Sequence, residues 1–106
     1  MTSKGSRPDP LDAQAVRAVV LEALSNEGSY KESIHARFEH LERHISIQDV
    51  IFGLKQPWMA CSPDEFNEDE WQWKYKIRTV DIEGDSLTVI VALDPRNKRF
   101  EIVTRF

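Results

Sequence analysis

The chain has 106 residues, of which 41% are hydrophobic, and its 14 lysines and arginines are outnumbered by 18 aspartates and glutamates, giving a formal net charge of −4 at pH 7. This length and apolar content predict one domain with a single core and exclude general disorder. The negative balance argues against nucleic-acid binding by the whole surface, because such proteins displace counterions from phosphates with an excess of cations.

Cysteine use and hydropathy bear on the compartment. The single cysteine, Cys61, excludes an intrachain disulfide and a cysteine-based zinc ribbon, and it favours a reducing environment. No apolar run reaches the roughly 18 residues of a membrane span, and the first residues lack the apolar stretch of a signal peptide. We therefore expect a cytoplasmic protein without membrane contact.

The N-terminal part is predicted to hold a tail and a first helix. Residues 1–8 are polar without periodicity and are expected to be disordered, which leaves residues 9–106 as one domain. Asp9 followed by Pro10 is typical of a helix start, since proline fits the first helical position. Apolar residues at spacings of three and four follow, so the first helix is predicted at 10–25.

Two further helices are predicted after it. A short second helix is indicated by three apolar residues on one helical face: Ile34, Phe38 and Leu41. Ser46 and Asp49 have the spacing of a capping box, in which each side chain bonds the other residue's backbone N–H. The third helix is therefore expected to begin at Ile47 and to end before Pro57.

The C-terminal part changes to strand periodicity. Residues 55–70 contain two prolines and five acidic residues without a usable period, and are predicted to be an exposed loop. Residues 71–78 alternate apolar with basic or polar side chains, residues 87–93 are apolar on both faces as in a central strand, and 99–106 form the last strand. The expected fold class is α+β, with three N-terminal helices packed on a C-terminal three-stranded antiparallel sheet.

Three histidines lie close together in the sequence: His35, His40 and His44. His40 and His44 have the spacing that places two imidazoles on one helical face, as a metal pair requires. His35 lies roughly 140° away around such a helix, and the glutamate of the zinc-protease motif does not directly follow His40. We therefore predict solvated histidines, with no metal and no cofactor.

The same segment suggests a second chemistry. His35 borders the apolar stripe of the second helix, where a titratable side chain can be partly desolvated. Cleavage of RNA by its own 2′-hydroxyl needs a base, an acid and cations that stabilise the crowded phosphorane. Cations are available at five positions: Arg43, Lys74, Lys76, Arg78 and Arg105. The residue types alone favour the simpler interpretation, in which these are ordinary surface charges.

Aromatic residues and the last strand complete the candidate set. Trp71 and Trp73 share the apolar face of their strand and are predicted core residues, whereas Trp58, beside Pro57, is free to stack on a base. Thr104 is placed on the apolar face of the last strand with Phe100 and Ile102. The opposite face is predicted to carry three charged residues: Arg99, Glu101 and Arg105.

Residues 35–54 and 73–105 resemble a bacterial domain-of-unknown-function family near the BrnT and RelE/ParE-like small toxins. The similarity lies in a His-Ala pair at His35, an Ile-Ser pair after Arg43, a basic strand, an apolar strand and a final Ile-Val-Thr strand. Glu39 and His44 depart from the family pattern, which has arginine and glycine there. The resemblance implies a RelE-like α+β fold and a metal-independent RNA endonuclease.

The resemblance also implies residue roles. His35 would act as general acid or base, Arg43 and Arg78 would bind phosphate, and Thr104 would position the substrate. Further substrate contacts are expected from four residues: Lys74, Lys76, Arg105 and Trp58. The implied partners are RNA and a protein such as an antitoxin, and an oligomer is compatible with the pattern. The alternative function is a non-catalytic module that binds a protein partner through the first helix or the acidic loop.

Overall fold

A five-stranded mixed sheet and two α-helices make up the described part of the chain, residues 7–26, 29–32 and 45–106 of a computed structural model. The helices are α1 (Ala13–Ser25) and α2 (Ile47–Lys55). The strands are β1 (Tyr30–Glu32), β2 (Ala60–Asn67), β3 (Gln72–Val80), β4 (Ser86–Asp94) and β5 (Arg99–Arg105). Their order in the sheet is β1-β5-β4-β3-β2, with β1 parallel to β5 and every other pair antiparallel.

The prediction of three helices on a three-stranded antiparallel sheet, and with it the RelE/BrnT-like architecture, is therefore wrong. The segment predicted as an exposed loop contains strand β2, and the short parallel strand β1 was not predicted. β2 lacks a clear period because it is an edge strand: Phe66 is its only buried residue, and the register of β2 with β3 shifts between Pro63 and Glu65. Proline, bulges and exposed charges are common at sheet edges. The predicted second helix lies outside the described residues.

Both described helices were predicted from local sequence. α1 begins later than expected because Asp12 is its N-cap, accepting a 2.8 Å hydrogen bond from the Ala15 N–H. α2 has the predicted capping box: Ser46 Oγ accepts from the Asp49 N–H at 3.1 Å, and Asp49 Oδ2 accepts from the Ser46 N–H at 3.2 Å. In the part of the chain that the structure describes, neither helix is long and apolar enough to cross a membrane.

The core lies between the helices and one face of the sheet, here called the inner face. β4 is the middle strand, as predicted, and it buries every second side chain on this face: Leu87, Val89, Val91 and Leu93. The helices cover them with five fully buried residues: Val16, Val20, Ala23, Val50 and Leu54. No helix among the described residues covers the opposite face, here called the outer face.

A bulge in β5 changes which side chains reach each face. Ile90 pairs with Thr104 but Val91 pairs with Ile102, so Val103 is an extra residue. Beyond the bulge the alternation is reversed. Arg105 therefore lies on the inner face and Thr104 on the outer face, opposite to the prediction for both, which assumed an uninterrupted strand.

The segment before α1 is bound to the sheet. The Leu11 N–H donates to the Tyr75 hydroxyl at 2.9 Å, and Trp73 Nε1 donates to the Pro8 carbonyl at 2.8 Å. Trp73 packs against the core as predicted. Trp71 does not: it lies in the β2–β3 turn at φ 55°, is 42% exposed and contacts the Phe66 ring edge-on.

Candidate functional site

Three cations form a line on the outer face. Lys74, Lys76 and Arg78 occupy alternate positions of β3, opposite Ala92, Ile90 and Thr88 of β4. Alternate residues of a strand are about 6.7 Å apart and point to the same side. Lys74 is partly held by its neighbour, since its Nζ donates to Glu65 Oε1 at 3.1 Å, whereas Arg78 is exposed. The predicted basic face of this strand therefore carries three cations in a line, of which Lys74 is ion-paired with Glu65.

Thr104 lies on the same face as these cations. It pairs with Ile90, and Ile90 pairs with Lys76 on its other side. Because neighbouring strands are about 4.8 Å apart, Thr104 lies about 10 Å from Lys76 across the sheet. The β5 bulge, which the sequence pattern did not reveal, is what brings this threonine to the cation line.

Arg105 and Trp58 lie away from that line. Arg105 is 7% exposed on the inner face and forms an ion pair with Glu32, and its burial lowers the pKa of the guanidinium. Trp58 packs against the core, donates from Nε1 to the Leu54 carbonyl at 3.0 Å, and has the Arg17 guanidinium 5.2 Å from the centre of its ring. Neither side chain is placed on the outer face with the β3 cations.

Two predicted catalytic residues, His35 and Arg43, fall outside the described residues, as do His40 and His44. Within residues 7–26, 29–32 and 45–106, no group of three or more histidine, cysteine, aspartate or glutamate side chains is arranged to hold a metal ion.

A cavity of about 440 Å³ opens on the outer face, where β4 ends and β5 begins. Its charged lining comprises six residues: Lys31, Lys74, Arg99, Glu70, Asp94 and Glu101. Ala92 lies in the middle, between its register partners Lys74 and Glu101, and its small side chain leaves a depression there. The sequence pattern assigned Arg99 and Glu101 to a polar strand face but gave no reason to place Lys31 beside them, because β1 is too short to show a period.

The Cys61 thiol is half-buried, and burial raises its pKa to about 11. A thiol with that pKa is protonated at neutral pH and is a poor nucleophile.

Cys61 should react slowly with a disulfide reagent. At pH 8 the folded protein should hold about 100-fold less thiolate than the unfolded chain, whose ordinary cysteine pKa is lower by about two. The rate should rise steeply up to about pH 11. The urea-unfolded protein provides the reference rate, and fast labelling of the folded protein at pH 8 would contradict the raised pKa. Because this pKa is raised by folding, its contribution to stability should be complete below about pH 9 and lost toward pH 11.

Comparisons with known proteins do not identify a function for this chain, so the outer face is interpreted from its own side chains. The toxin-like resemblance stays a prediction, and the residues that the structure brings together are the β3 cations, Thr104 and the charged cavity. The chain has no significant match to a protein-family model, a curated protein or a solved structure.

Proposed function

We propose that this protein binds single-stranded RNA along its outer face. The observation that supports this is the line formed by Lys74, Lys76 and Arg78 on the uninterrupted strand β3. Their spacing of about 6.7 Å is close to the distance between successive phosphates of an extended nucleic-acid strand. Lysine and arginine at such positions bind phosphate oxygens and release counterions.

The negative net charge does not oppose this proposal, because the acidic residues are unevenly distributed. Five of them fall within residues 64–70, at the edge strand β2 and the turn that follows it. Two of these are engaged by cations of the chain itself: Glu65 bonds Lys74, and Glu68 bonds Arg7 at 3.2 Å. The positive line lies on the neighbouring strand β3 instead.

The alternative of a protein-binding module has less support from the described surfaces. Three apolar residues of the first helix, Val16, Val20 and Ala23, are buried in the protein's own core, and Val19 and Leu24 pack against it. The predicted acidic loop is instead partly a strand, paired with β3 from Ala60 to Asn67. Both elements thus have roles inside the domain.

We further propose that bound RNA is cleaved, as the toxin-like resemblance implies, and that an antitoxin-like protein controls this activity. His35 would take the proton of a 2′-hydroxyl, whose oxygen bonds to the adjacent phosphorus. The P–O5′ bond breaks, the 5′-oxygen takes a proton from water, and a 2′,3′-cyclic phosphate is left. Arg43 and Arg78 would stabilise the phosphorane, and Thr104 would position the substrate. Arg78 and Thr104 support this part by sharing the outer face; the roles of His35 and Arg43 rest on the resemblance.

Replacing all three β3 cations with glutamine should abolish most RNA affinity. Three phosphate contacts correspond to a slope of about −2 in a plot of log affinity against log salt, and to a loss of about 100-fold near 0.1 M salt when they are removed. Fluorescence anisotropy with a labelled single-stranded RNA at several salt concentrations measures both quantities.

The matched control is a triple variant with the same change in net charge, Lys55→Gln, Arg96→Gln and Lys98→Gln, at exposed positions outside the β3 line. It should keep the affinity and slope of the wild type. Equal losses in both triple variants would show that only net charge matters and would refute the outer-face site.

Cleavage is tested separately with the His35→Ala variant. We expect it to bind RNA like the wild type and to lose both RNA cleavage and growth arrest on expression. Absence of both activities from the wild type would refute the ribonuclease proposal while leaving the binding site to be judged by the anisotropy data.

A further inference from the structure

The cavity on the outer face lies at the Lys74 end of the cation line, so an RNA strand bound along β3 would pass directly into it. Its volume of about 440 Å³ lies within the usual range for small-molecule sites and exceeds what a single base needs. Ala92 is responsible for the depression, since the other residues around it in the register, Lys74 and Glu101, have long side chains.

The charges in the cavity define what it can bind. Three cations and three carboxylates line it, so a phosphate alone would face repulsion from the carboxylates. A neutral group that presents both hydrogen-bond donors and acceptors suits this combination of cations and carboxylates better. A nucleobase of the bound RNA is such a group, so this inference rests on the proposed RNA binding.

Some of the charged side chains already have partners. The Asp94 carboxylate accepts from the Asn97 side-chain amide at 2.8 Å and lies within 3.4 Å of the Asn97 backbone nitrogen. Lys74 is bonded to Glu65. Glu101 lies beside Ala92 at the centre of the cavity and is the register partner of Lys31 on β1. The third carboxylate, Glu70, belongs to the exposed β2–β3 turn, so Glu101 is the carboxylate best placed to meet a base, with Lys31 on one side.

We propose that the cavity binds a guanine base. Guanine is the base whose Watson–Crick edge carries two adjacent donors, N1–H and the 2-amino group, and these match the two oxygens of one carboxylate. Glu101 accepts both, while Lys31 or Arg99 donates to the guanine O6. Uracil offers one N–H between two acceptors, and adenine and cytosine each offer one amino group beside an acceptor, so none of them matches a carboxylate in this way.

The test compares a uridine oligonucleotide that contains one central guanosine with the all-uridine oligonucleotide of the same length. One bidentate contact should make the wild type bind the guanosine-containing RNA about tenfold more tightly. Glu101→Gln removes the carboxylate without changing its size, and Ala92→Leu fills the depression. Both variants should bind the two oligonucleotides equally.

Two control variants make matched changes outside the cavity. Glu83→Gln removes a carboxylate from the exposed β3–β4 turn, and Thr88→Leu adds bulk on the same strand and face as Ala92. Both should keep the tenfold preference. Circular dichroism melting curves establish that all four variants are folded before binding is compared.

The possible failures are distinguishable. If wild-type RNA binding depends on the β3 cations but shows no preference for guanosine, the guanine site is refuted and the proposed function stands. If the preference exists but survives both Glu101→Gln and Ala92→Leu, the assignment to this cavity is refuted. If no RNA binds, the proposed function fails. The base site is then tested by adding guanosine monophosphate and recording NMR spectra. Unchanged signals of Ala92 and Glu101 would refute the base site as well.

Discussion

Replacing Arg105 with alanine should destabilise the domain by about 3–5 kcal/mol, the largest loss that we expect from a single substitution. Arg105 is buried on the inner face at the end of β5, and it forms an ion pair with Glu32 of β1, whose side chain is only 16% exposed. Removing the guanidinium leaves the Glu32 carboxylate without this cation in a region where water cannot fully solvate it. Urea denaturation monitored by tryptophan fluorescence measures the loss.

The double variant Glu32→Leu/Arg105→Met separates charge from packing. Replacing both members of a buried ion pair with apolar side chains of similar size is often close to neutral, so this variant should be more stable than Arg105→Ala. A loss below about 1 kcal/mol for Arg105→Ala would contradict the buried ion pair, because exposed pairs contribute about that much at most.

Gly53→Ala should also destabilise the protein, by about 2 kcal/mol, even though alanine is the better helix former by about 1 kcal/mol. Gly53 is the point at which α2 touches β3. A Cβ atom there would lie 2.7 Å from the Val80 carbonyl oxygen and 2.8 Å from Thr79 Cγ2. The Thr79 hydroxyl also donates to the Gly53 carbonyl at 2.7 Å, so helix and strand cannot separate without breaking a buried hydrogen bond.

The double variant Gly53→Ala/Thr79→Ser tests the steric cause. Serine keeps the hydroxyl but lacks the methyl group that the new Cβ would meet, so part of the lost stability should return. The single Thr79→Ser variant gives the baseline for this comparison. A Gly53→Ala protein more stable than the wild type in urea denaturation would show that helix propensity outweighs the close approach.

The candidate site could be predicted only in part. Lys74, Lys76 and Arg78 were found because alternate residues of a regular strand must share a face. Thr104 was singled out but placed on the wrong face, since the bulge at the preceding residue, Val103, is decided by pairing with β4. The cavity could not be foreseen, because it depends on segments far apart in the sequence meeting around Ala92.

The two edge strands could not be predicted from local sequence either. β2 contains Pro63 and exposed acidic residues, which resemble a loop when considered alone, and it becomes a strand by pairing with β3. β1 has three residues, and its parallel partner β5 begins about 70 residues later in the chain. Neither strand has enough buried side chains to produce a recognisable period.

The sequence by itself determined the two described helices, the α2 capping box, the central strand β4 and the basic side of β3. These depend on contacts between residues a few positions apart, or on a period that burial imposes on a whole strand. Only the tertiary structure decided the mixed sheet, the position of the Arg105 side chain on the inner face, and the charged cavity. The physical reason is that hydrogen bonds between distant strands set register, and a single extra residue in one strand exchanges its two faces.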